Sequence, residues 1–114
     1  MRFCDLGEAQ ILQIVEPIMD NCLAGSNEHD HARHVRDFSD RIKKIVTPEE
    51  LRRQLAAKDG VRFTTRTFVR LFRRRDSVGI VWRQLASGSD DELINQAIFK
   101  EIDGRVLIDH CMIC

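Results

Sequence analysis

The sequence predicts an α+β fold in which three N-terminal helices pack on one antiparallel sheet of about four strands. Three observations carry that expectation. Apolar residues recur every three or four positions as far as Gly60 and alternate thereafter, with β-branched and aromatic residues gathering in the second half. Thr47-Pro48-Glu49-Glu50 has the composition of a helix start: an N-cap, a proline at the first helical position, and a glutamate three residues after the cap. Asp103-Gly104 has the composition of a two-residue hairpin turn with positive φ. At 114 residues the chain has the size of a single domain, 1–114.

The first helix is expected from Leu6 to Leu23, where Ile11, Ile14, Val15, Ile18 and Cys22 recur at helical spacing. Gly25 stands where a C-terminal cap would stop it, and Pro17 would kink it or mark a later start. Ser26 or Asn27 would cap a second helix, whose stripe is Val35, Phe38, Ile42, Ile45 and Val46. The third opens at Thr47, turns Leu51 and Leu55 inward, and ends at Asp59-Gly60. Strands follow from about Arg62 to Arg74 and from Val78 to Ala86, and a loop at residues 87–91 leads into the final hairpin. With Ile102 facing Arg105, an unbroken ladder pairs Phe99 with Ile108, Ala97 with His110 and Asn95 with Met112. One face then carries Asn95, Ala97, Phe99, Val106, Ile108, His110 and Met112. The other carries Ile94, Gln96, Ile98, Lys100, Leu107, Asp109, Cys111 and Ile113, and is also mostly apolar.

Eighteen basic and eighteen acidic residues cancel, so net charge gives no reason to expect a nucleic acid partner or an anionic membrane. The charges are unevenly placed, however. Seven arginines lie between Val61 and Ala86 against the single acid Asp76, while the chain from Ser87 onward is acidic. Cross-strand ion pairing or an anion-binding patch would account for this. Arg66, Arg70 and Arg74 share a parity with Phe68 and Phe72 on an unbroken strand, a pattern that could hold an anion or RNA. No apolar run reaches the roughly twenty residues of a membrane span, and the first residues lack a basic region followed by a cleavage site. A cytoplasmic location is therefore expected. The four cysteines, at 4, 22, 111 and 114, are scattered. Cys111 and Cys114 lie three apart along a strand, which sends their sulfurs to opposite faces and suits neither a redox pair nor a chelate.

Helices followed by long antiparallel strands, closing on Gly104-Arg105-Val106-Leu107-Ile108-Asp109-His110, resemble the superfamily of nuclear transport factor 2, SnoaL-like cyclases and ketosteroid isomerases. The resemblance implies a strongly curved, cystatin-like cone whose inner face and helices enclose a conical pocket. It also implies that the outer sheet face packs on a second subunit, which would explain Ile94, Ile98, Leu107 and Ile113 on the second face; a helix or loop of the same chain could cover it instead.

His110 is the leading candidate for acid/base chemistry, because the expected register puts it inside with Val106, Ile108 and Met112, and with Asn95 close enough to hydrogen-bond. With the faces reversed, Asp109 becomes the pocket acid. A core histidine satisfied by the backbone is the competing account. Trp82 shares a face with Ile80 and Gln84, as a core or interface anchor or as a stacking group. His31, His34 and Asp37 have helical spacing that could gather a metal, but no second cluster completes a site, and no metal or cofactor is expected. His34 and Asp37 would instead rim the cone mouth. Ketosteroid isomerase chemistry in its usual form needs a tyrosine, and the chain has none. What remains is a homodimer binding a small, largely apolar molecule, a SnoaL-like enzyme using His110 or an aspartate, or a non-catalytic interaction module.

Overall fold

The computed structural model describes residues 1–114. A short 3-10 turn, Phe3–Asp5, precedes four α-helices: α1 (Glu8–Asn27), α2 (His31–His34), α3 (Asp40–Ile45) and α4 (Pro48–Ala56). Four strands follow, β1 (Arg62–Arg73), β2 (Val78–Ser87), β3 (Leu93–Ile102) and β4 (Arg105–Ile113), in one open antiparallel sheet of order β1-β2-β3-β4. No helix is long and apolar enough to cross a membrane.

The first helix is a full turn longer than its apolar stripe. Pro17 sits on its exposed side, where the carbonyl left without an N–H partner can bond water. Gly25 is not a cap: it lies inside α1, and a Cβ there would stand 2.4 Å from the His34 nitrogen and 2.6 Å from its Cα. The glycine lets the backbone of α2 rest directly on α1. Asn27, expected as a cap, instead clamps β1, with its Nδ2 donating to the Phe63 carbonyl and its Oδ1 accepting from the Phe63 N–H, both at 2.8 Å.

The expected second helix is two short ones. Asp30 caps α2 by accepting from the Arg33 N–H, and the chain is then extended around Phe38. There Ile108 donates to the Asp37 carbonyl at 2.7 Å and Ser39 donates to the Ile108 carbonyl at 2.9 Å, a parallel bridge along the edge of β4. These bonds outweigh helix continuation while keeping Val35, Phe38 and Ile42 buried. In α4 the expected cap is present, Thr47 Oγ1 accepting from Glu50 N at 3.2 Å, and Leu51 is buried.

The hairpin turn forms as expected, with Asp103 at φ 52° and Gly104 at φ 77°. Ile102 faces Arg105 and Phe99 faces Ile108, but the next pair is Ile98 with His110. Asp109 is an extra residue on β4, a β-bulge, and it reverses the parity of everything after it. Cys111 and Ile113 therefore oppose Ala97 and Asn95, while His110 and Met112 oppose Ile98 and Gln96. The Ser39 hydroxyl donates to the Asp109 carboxylate at 2.7 Å and Arg41 bonds both its carboxylate and its carbonyl, drawing the residue out of the ladder. Two irregularities also divide β1, so that Arg66 and Phe68 pair with the inward Gln84 and Trp82, whereas Arg70 and Phe72 pair with the outward Val81 and Gly79. The expected common parity of those arginines and phenylalanines does not hold.

One buried cluster joins Ile11, Val15, Met19 and Cys22 of α1 to Ile80, Trp82, Ala97, Phe99 and Ile108 of the sheet. Trp82 meets Phe99 edge to face, centroids 6.2 Å apart. Its Nε1 donates to Glu16 at 3.3 Å, and Arg66, paired with the same Glu16 at 2.6 Å, stacks over its ring.

Candidate functional site

A cavity of about 550 Å³ opens between the C-terminal half of α1, the segment from α2 to α4, the start of β1 and the end of β4. Its walls are mostly apolar, with Leu23, Phe38, Ile42, Leu51, Leu55 and Phe63 supplied by five different segments. The polar groups that face it are Ser26, His34, Arg41, Arg53, Gln54, Lys58 and His110, beside the thiols of Cys22 and Cys111.

His34 is the best-held of these groups. Its Nδ1 donates to the Cys22 carbonyl at 2.9 Å and its ring meets Phe38 edge to face at 5.2 Å. Burial pushes its pKa below the ordinary histidine value, against the opposing pull of the Cys22 carbonyl. The ring is thus held neutral with the proton on Nδ1, which leaves Nε2 as an acceptor. His31 points elsewhere and bonds the Val46 carbonyl at 2.7 Å, so the two imidazoles do not converge as a chelating pair.

The other candidate residues take different places. His110 and Met112 border the cavity, but on the sheet face of Ile98 and Gln96, and the expected contact between Asn95 and His110 is absent. Asn95 lies deep on the inner face, outside the cavity, with its Nδ2 donating to Gln84 Oε1 at 3.1 Å and its Oδ1 without a partner. Trp82 is wholly enclosed by core and does not line the cavity. Asp37 is buried between Arg36 at 2.9 Å and Arg105 at 2.7 Å, away from the cavity. For Asp109, burial pushes the carboxyl up, but Ser39 and Arg41 outweigh it and hold the group below its ordinary range.

The residues that sequence reasoning missed are Cys22 and Cys111. Both thiols line the cavity, and the Cys22 sulfur lies 3.6 Å from His34 Nδ1. Cys22 was visible on the α1 stripe, but only the bulge at Asp109 turns Cys111 to the inner face. Compared with family models and with curated proteins, the chain matches none.

Proposed function

We propose that the protein binds a small, largely apolar molecule in this cavity, as a cytoplasmic homodimer with the cone-shaped architecture of the nuclear transport factor 2-like superfamily. The observation that carries the reading is the cavity itself. Its volume of about 550 Å³ falls within the roughly 300–1,000 Å³ of ordinary ligand sites, and apolar walls with a few convergent polar groups are what such sites need. The neutral His34 ring supplies an acceptor for a single hydroxyl or amide of the ligand. The bulges in β1 and β4 support a curved sheet, since each bends its strand. Ile94, 52% exposed, and Met112, 47% exposed, stand beside Ile98 and Leu107 on the outer row, and a second copy of the chain would cover them.

An enzymatic reading, as a SnoaL-like isomerase, cyclase or hydrolase, would move the acid/base role from His110 to His34. Asp109 and Asp37 are each engaged by arginine, and His110 lies on the outer parity. The experiment that tests binding is calorimetric titration with a panel of apolar compounds, comparing the native chain with Leu55→Trp, which fills the cavity from the half-buried flank of α4. Binding by the native chain and its loss in an equally stable Leu55→Trp protein is the expected result. Equal binding by both, or binding by neither, contradicts the assignment.

A further inference from the structure

The chain has as many acidic as basic side chains, eighteen of each, yet none of the acids lines the cavity. Its lining carries three cationic side chains instead, Arg41, Arg53 and Lys58. Two of these are already neutralised by acids outside the lining, Arg41 by Asp109 and Arg53 by Glu50. Lys58 has no such partner and takes part in none of the ion pairs of the chain. Its Nζ donates to the Ile113 carbonyl at 3.2 Å and stands 5.9 Å from the centroid of the Phe63 ring, and both of those residues also line the cavity. An ammonium has three N–H donors, and this one has a single protein acceptor. We propose, on the ligand-binding reading of this cavity, that it takes an aliphatic monocarboxylate, with the chain between the apolar walls and the carboxylate paired with Lys58 at the rim.

Burial and charge set the orientation. Cys22 is buried and His34 half-buried at the inner wall, whereas Lys58 is exposed. With its proton on Nδ1, His34 offers Nε2 as an acceptor, so a carboxylate beside it would meet a second acceptor and no charge. A carboxylate taken among apolar walls without a partner is strongly disfavoured. At the rim it keeps part of its water and gains Lys58. The C-terminal end of α4 acts against it, since the helix ends close by at Ala56 and the Leu55 carbonyl accepts from the Lys58 backbone N–H at 3.1 Å. That end carries about half an elementary negative charge, less than the full charge of the ammonium. The walls favour a chain over a ring. Phe38 meets His34 edge to face and Phe63 lies under Lys58, so no two aromatic faces remain to sandwich a ring.

Calorimetric titration with decanoate, decanol and decylammonium, which share a chain and differ in the charge of the head, tests this. At low salt, decanoate is expected to bind at least as tightly as decanol, although water holds a carboxylate far more strongly than a hydroxyl, and decylammonium most weakly. Lys58→Met keeps the apolar stem and removes the charge. It should weaken decanoate about fivefold relative to decanol, while Lys58→Arg retains the preference. Added salt should weaken decanoate and not decanol in the native chain, a readout that needs no variant. Decanol binding more tightly than decanoate, or a Lys58→Met chain with undiminished decanoate affinity, overturns the proposal. Where decanol still binds the native chain and is lost in Leu55→Trp, the cavity reading survives that failure; where none of the three compounds binds, both fall together.

Discussion

His34 carries the clearest pH signature of any single residue. Its folded pKa is lowered by burial, so the unfolded chain binds the proton more readily than the folded one. The stability that this neutral ring contributes is fully present above the unfolded value of about 6.5 and is lost as the pH falls through the lowered folded value. Urea unfolding should therefore show the native chain weakening between neutral pH and about pH 5, more steeply than His34→Gln, whose side chain has nothing to titrate. Parallel pH profiles for the two proteins would place the ring in water. Sequence spacing brought out His34 as a member of a histidine cluster, and the family resemblance as a residue rimming the cone mouth. What distinguishes it from His31 is the partner that each ring finds, Cys22 across α1 in one case and Val46 in the other, and these are contacts between segments that no local pattern encodes.

At the scale of elements, the hairpin shows where legibility ended. Asp103-Gly104 dictated the turn and the first pairs because the φ requirement is local. The bulge is not local: it depends on Ser39 and Arg41, about seventy residues away, holding Asp109 aside. One extra residue exchanged His110 for Cys111 on the inner face of the sheet. Of the expected stripe Val35, Phe38, Ile42, Ile45 and Val46, the first three are buried and Ile45 is 58% exposed; the backbone differs too, since an extended stretch around Phe38 buries side chains that a helix was expected to bury. The α1 and α2 junction gives a test at this scale. Gly25→Ala places a methyl within 2.4 Å of backbone that cannot swing away. The expected loss is about 1–3 kcal/mol in denaturant unfolding, despite the better helix propensity of alanine. A neutral or stabilising Gly25→Ala would mean that α2 does not rest on α1.

For the molecule as a whole, the inner and outer rows of the sheet make separate demands. The outer row predicts association: sedimentation velocity at tens of micromolar should give a dimer, and Ile98→Glu, near the middle of that row, a folded monomer. A monomeric native chain at that concentration would leave the outer face without its proposed partner. The inner row and the helices leave the cavity, and the central claim is that this space takes a small apolar molecule. Methyl-resolved NMR during titration with fragment-sized apolar compounds tests it most directly. The account predicts shifts that saturate and cluster on Leu23, Ile42, Leu51 and Leu55, four cavity residues from three helices. Shifts confined to Ile94, Ile98 and Leu107 on the outer row, or none at saturating compound, would contradict it.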